Sequence, residues 1–213
     1  NAMRQAPDCI LIGEIRDTAT MSAALAYAQS GHLVLATMHA NNANNALNRI
    51  VSFYTPDNRR VLLADLAATL RAVVSQRLIR SSDNSRIAAV EILLNTRHVA
   101  ELIEQGRLTE VKEAIENSMA PGSRTFDQEL AGMLREGLIG REDALANADS
   151  PTNLLWMLEN EAYDPSSDRV IPPATAAVQP GGADARLPAG RQRPPPEPVD
   201  PNGPSFFEFL LNI

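Results

Sequence analysis

The sequence predicts an α/β fold, in which a parallel-type sheet with helices is followed by a small α-helical lobe and a proline-rich tail. Three observations carry that expectation. Two short apolar runs, Cys9–Gly13 and "HLVLATMH", flank a helical segment. From Arg97 to Glu159 helical stretches alternate with glycines. Beyond Asp164 lie 11 of the 15 prolines, with few large apolar residues until the last eight positions.

Each element has its own reason. Cys9–Gly13 is short and continuously apolar, as expected of a strand buried on both faces. Asp17 or Thr18 caps a helix through "TMSAALAYAQS", and Gly31 is placed to stop it. Residues 15–31 are long enough for a crossover, so the strand that follows is parallel to the first and the three form a βαβ unit. In "HANNANNALNRIVSFYTP" the asparagines supply an N-cap for a helix from Ala43 to Tyr54, ended by Pro56. Leu62, Leu66, Leu70, Val73 and Val74 fall at helical spacing and extend a second helix from Arg59 to Gln76. "RIAAVEILLN", Arg86 to Asn95, reads as a further strand. Helices are then expected at Arg97–Gln105, Thr109–Ser118, Thr125–Glu136, Arg141–Ala148 and Pro151–Glu159.

Composition narrows the function. The 213 residues are 44% hydrophobic, enough for one well-cored domain plus further material. A net charge of -7 argues against a nucleic-acid binder whose affinity rests on a basic surface. One cysteine, Cys9, allows neither an intrachain disulfide nor a multi-cysteine zinc site. No apolar run reaches the roughly 18 residues of a membrane-spanning helix. The expectation is a cytoplasmic protein without direct membrane insertion. Asn1 and Ala2 read as a cloning remnant ahead of Met3, which is either a natural start or a fragment boundary, and in the second case the natural protein extends upstream. The proline-rich stretch is expected to lack a packed core. Its apolar end, "SFFEFLLNI" from Ser205 to Ile213, is a candidate to dock on its own or a neighbouring chain.

In open parallel sheets ligands bind at the carboxyl ends of strands, where Glu14 and His39 fall. An apolar strand that delivers an acid to this edge suits a nucleotide hydrolase, in which the acid handles a magnesium ion or orients the attacking water. The bland alternative is a carboxylate that caps the next helix or pairs with Arg16. His32 and His39 are seven residues apart along one strand, so their side chains lie about 20 Å apart on opposite faces and share no metal ion. His39, near Thr37 at the far end, is the candidate to sense a phosphate or bound water, whereas His32 fixes the entry to the strand and His98 is a surface residue.

Together "APDCILIGEIRD", "GHLVLATMHANNANNALNRI" and "SQRLI" resemble the C-terminal ATPase domain of the type IV pilus retraction motors (PilT/PilU), within the secretion-ATPase superfamily. The first resembles that family's atypical Walker B motif and the second its His box. "HANNAN" is more similar to the accessory, PilU-type branch than to the PilT-type branch, which usually has threonines after the His-box histidine. The resemblance implies a partial RecA-like P-loop ATPase core at residues 3–95, with Walker B and His box but no Walker A. A helical C-terminal subdomain at 96–162 and the flexible tail at 163–213 would follow. It implies that Glu14 acts on magnesium, indirectly through water, and on the attacking water, and that His39 senses the γ-phosphate. Arg16 and Thr37 would stand beside them in the nucleotide site. "RHVAELIEQGRL", Arg97 to Leu108, lies where the retraction motors carry a segment implicated in retraction, and departs from it at Glu101 and Gln105. The parent protein would be a homohexamer, or a hetero-complex with a PilT-type motor, acting with the inner-membrane pilus platform and thus peripheral to that membrane.

A P-loop needs G-x-x-x-x-G-K-[ST], and the chain's one lysine, Lys112, sits in "TEVKEAI" with no suitable glycine before it. ATP and magnesium are thus cofactors of the full-length family, and this chain is expected to bind neither tightly nor to hydrolyse ATP by itself. Two alternatives stand beside this reading. One is a non-catalytic module that binds a partner motor through the helical lobe or the tail. The other is a fragment of a type II secretion or pilus-assembly ATPase, disfavoured because those relatives usually carry a four-cysteine zinc module.

Overall fold

A computed structural model describes residues 7–160. The proline-rich tail, its apolar end and the region around Met3 lie outside the described residues. The fold opens with β1 (Cys9–Ile12), α1 (Thr18–Gln29) and β2 (Leu33–Ala36). The two strands pair in parallel, Cys9 opposite Leu33 and Ile12 opposite Ala36, so the expected βαβ unit is present. Of the two proposed caps, Asp17 is the one used: its carboxylate accepts from the Thr20 amide at 2.7 Å. The backbone and hydroxyl of Thr20 hold the Asp17 carboxyl below its ordinary range. Gly31 takes φ +93°, a left-handed conformation that lets the chain leave α1 and enter β2 directly.

β1 departs from the expectation of burial on both faces. Ile10 is buried, while Cys9 is exposed and Leu11 is 74% exposed, because among the described residues the sheet has two strands and only one face is covered by helices. α1 packs on β2, and its Met21, Ala24 and Leu25 share one core with Leu47 and Ile50 of α2 (Ala43–Ser52) and Leu62 and Leu66 of α3 (Pro56–Thr69). Asn42 caps α2, accepting from the Asn45 amide at 2.8 Å. Pro56 ends no helix: it opens α3 at the first turn, where its missing N–H costs nothing.

The largest correction concerns residues 70–80. The helix read as far as Gln76 stops at Thr69, and Ala72–Arg80 forms β3, a nine-residue strand. Val73, Ser75, Arg77 and Ile79 face inward while Val74, Gln76, Leu78 and Arg80 face outward, the two-residue alternation of a half-buried strand. β4 (Arg86–Leu94) pairs antiparallel with it, Ala72 opposite Leu94, so Arg86–Leu94 does not extend the parallel sheet. Five residues separate β3 from β4, enough for a hairpin turn and too few for a parallel crossover. In that turn Asn84 takes φ +68° and Asp83 accepts from the Ser85 amide at 2.9 Å.

The remaining helices are α4 (Arg97–Glu104), α5 (Val111–Glu116), α6 (Phe126–Arg135), α7 (Arg141–Asn147) and α8 (Pro151–Glu159). The segment expected as one helix from Thr109 starts as a 3-10 turn, Leu108–Glu110, before α5. α6 carries a full capping box between Thr125 and Gln128. Two apolar clusters result. Val99, Leu102, Ile103, Val111 and Ile115 join the core beneath α2 and α3. Phe126, Leu130, Ile139, Ala144 and Leu154 pack against Ile79 and Ala89 of the hairpin.

Candidate functional site

β1 and β2 end side by side, and two contacts tie their exits together. The Thr37 hydroxyl donates to the Gly13 carbonyl, and the Ile15 amide donates to the Thr37 carbonyl at 2.9 Å. The chains leaving the two strands are thus pinned at one place. Glu14 and His39 project from it.

The Glu14 carboxylate is shared between two cations or donors. Oε1 lies 3.2 Å from His39 Nε2, and Oε2 accepts from Arg16 Nε at 2.5 Å. The Glu14 side chain is 17% exposed, whereas His39 is 83% exposed and Arg16 is 74% exposed. A recessed acid is therefore flanked by two groups that face solvent. Of the four residues singled out from the sequence, Glu14, Arg16 and His39 come together directly. Thr37 adjoins them, with its hydroxyl proton already given to Gly13. The bland alternative holds for Arg16, which does pair with Glu14, but not for the helix cap, a role Asp17 fills. His32 lies at the opposite end of β2, its Nδ1 2.9 Å from Ser30 Oγ and 3.2 Å from the Tyr27 carbonyl. Beyond His39 an open groove runs along α2 between Asn41, Asn45, Asn48 and Arg49.

Behind the loop after His39 stands a polar cluster that the sequence did not announce. Arg77 of β3 donates to the Asn147 carbonyl at 2.7 Å and to Asp149 Oδ1 at 2.5 Å, and its guanidinium lies 3.9 Å above the Phe126 ring. Asp127 is fully buried and accepts three hydrogen bonds, from Lys112 Nζ at 2.9 Å and from the amides of Asp149 and Ser150 at 2.8 and 3.2 Å. Glu91 of β4, 2% exposed, accepts from the Ala43 amide at 2.7 Å. The partners are 15 to 72 residues apart, too far for any spacing rule. The one available signal was a carboxylate at a helix position flanked by core residues, Asp127 next to Phe126.

Burial pushes the Glu91 carboxyl above its ordinary value of 4.5; the Ala43 amide and the Arg77 charge pull it back, and Asp149 adds to the rise. The folded chain holds this proton more tightly than the unfolded chain, so the group stabilises the fold below about pH 4.5 and loses that contribution as pH rises through the raised value. Glu91→Gln keeps an acceptor for Ala43 without the buried charge. Its urea midpoint is therefore expected to gain on the parent's between about pH 4.5 and neutrality. A difference between the two that does not change with pH would contradict this.

A parallel strand pair thus sets an acid and a histidine at its carboxyl edge, the place where open α/β sheets hold their ligands. The model of the family described as "Type II/IV secretion system protein" matches residues 1–120, and the chain belongs to that family. The Type IV pilus ATPase PilU of Pseudomonas aeruginosa is 46% identical over 160 residues, covering 75% of this chain and 42% of that protein. The Type IV pilus retraction ATPase PilT of the same organism is 35% identical over 153 residues, covering 72% of this chain and 44% of its own. A crystal structure of the pilus retraction motor PilT with bound ADP superposes with a TM-score of 0.67 at 32% identity, over 73% of this chain and 44% of that one. The chain thus spans less than half the length of these relatives. No helix among the described residues is long and apolar enough to cross a membrane.

Proposed function

We propose that this chain is the Walker B and His-box portion of a twitching-motility motor, an ATPase whose hydrolysis drives retraction of a type IV pilus. The observation that carries the reading is the 3.2 Å approach of His39 Nε2 to Glu14 Oε1 where two parallel strands end. Glu14 is the acid that orients the attacking water, its carboxylate recessed enough to stay in place and open enough to be reached. His39, nearly free of packing, donates from Nε2 toward whatever occupies the groove, and the γ-phosphate is the natural acceptor. Arg16 holds the second carboxylate oxygen so that Glu14 keeps one orientation.

A magnesium ion fits this donor set in one way. Among the described residues no three metal-binding side chains converge, and Glu14 is a single carboxylate, so the ion would be held by phosphates and water with Glu14 reaching it through water. Its chemistry would be to offset charge on the phosphates. The residues for cradling those phosphates are not in the chain: no G-x-x-x-x-G-K-[ST] occurs, and Lys112 is committed to buried Asp127. The active protein on this reading joins residues 3–95 and the helical subdomain at 96–162 to a P-loop region, assembles as a hexamer or with a second motor, and works at the cytoplasmic face of the inner membrane.

The test has two arms. Titrated with magnesium and ATP, the chain by itself is expected to show no tight binding. A chimera in which this chain replaces the matching part of the Pseudomonas aeruginosa PilU is expected to turn over ATP. Tight binding by the chain alone would refute the missing-cradle argument, and a correctly assembled but inert chimera would refute the motor assignment.

A further inference from the structure

Three consecutive residues just beyond His39 are each held by a different part of the protein. The Asn41 carbonyl accepts from Arg77 of β3 at 3.1 Å. Asn42 Nδ2 donates to Asp149 Oδ2, in the link between α7 and α8, at 3.1 Å. The Ala43 amide donates to Glu91 of β4 at 2.7 Å. His39 itself is 83% exposed and touches Glu14 at its tip, so its position is set by the backbone that carries it. Asp149 is the member that links the others. Its Oδ1 takes Arg77, its Oδ2 takes Asn42, and its own amide is anchored on buried Asp127 of α6.

We propose that Asp149 is a positioning residue for His39: through Asn42 it fixes the loop that carries the histidine, and through Asp127 it makes that loop follow the helical part of the chain. The inference rests on the reading of His39 as the group that faces the nucleotide, and extends it to how the site is held and moved. A shift of α6 relative to β1 changes the distance between His39 and Glu14, because the Asn42 end of the loop travels with Asp149 while the Thr37 end stays pinned to Gly13.

Asn42→Asp is the informative variant. Aspartate caps a helix as well as asparagine, so α2 keeps its cap, while the donor to Asp149 is lost and two carboxylates face each other. In the chain as it stands, hydrogen exchange at Ala43, whose amide is held by Glu91 outside the helix, should rise about tenfold, the scale of one lost hydrogen bond to a charged group, while Asn45 keeps its cap bond. Exchange at Ile15 and Thr37 should not change, and the His39 Nε2 nitrogen resonance should move. Adding Asp149→Asn swaps donor and acceptor, and is expected to restore both readings. If Asn42→Asp does not fold, Asn42→Ser, which also caps but lacks the reach, gives the same readings. An unmoved His39 resonance, faster exchange throughout the core, or a swap that restores nothing would each overturn the proposal. No nucleotide enters these measurements, so a finding that His39 is idle in hydrolysis would leave this result standing, and the converse holds too.

Discussion

Asp127→Ala is expected to cost about 3–5 kcal/mol of stability, a large share of what holds a chain of this size together. Asp127 is fully buried, and its two oxygens satisfy three donors: Lys112 Nζ and the amides of Asp149 and Ser150. Alanine leaves the two amides without their acceptor and the ammonium of Lys112, about one-third exposed, without its partner. The Ser150 cap of α8 starts at those amides, so the loss reaches the packing of Leu154 against Phe126. Asp127→Asn, which keeps one acceptor oxygen for the amides, should lose less. Urea unfolding of the three proteins checks this, and a loss below about 1 kcal/mol for the alanine variant would mean that the cluster is well solvated after all.

How much of this was legible in the sequence depends on the range of the interactions. β1, α1 and the Gly31 stop follow from contacts within a few residues, and the expected elements formed. The helix expected at Pro151–Glu159 likewise formed, as α8. β3 was missed because Leu62, Leu66, Leu70, Val73 and Val74 fit a helical stripe, and no glycine or proline stands between Thr69 and Ala72 to end it. What ends the helix is Leu70, whose backbone turns to ψ 137°, in a conformation that the pairing of β3 with β4 then continues. Tertiary pairing overrode the local pattern, as it does where β-branched residues suit either state. The site divides the same way. That Glu14 and His39 fall at one edge was legible because each follows the carboxyl end of a strand. Arg77, Glu91, Asp127 and Asp149 were not, because each finds its partners across the fold.

The second large effect concerns Glu14 itself. In the chimera with the Pseudomonas aeruginosa PilU, Glu14→Gln removes the basic carboxylate and keeps size and hydrogen-bonding shape. The substituted amide still offers an oxygen to Arg16 or His39, so the fold and the arrangement of the edge are preserved, and the loss is confined to the chemistry. The expected result is a drop in ATP turnover of about 100- to 10,000-fold, the usual range for a positioned acid-base group, with nucleotide binding retained. On the roles proposed above, His39→Ala should lower turnover less than Glu14→Gln. Turnover of the Glu14→Gln chimera is the most direct measurement of the central claim. A fall of two orders of magnitude or more at unchanged nucleotide affinity is the predicted result, and a rate within about twofold of the parent would contradict it.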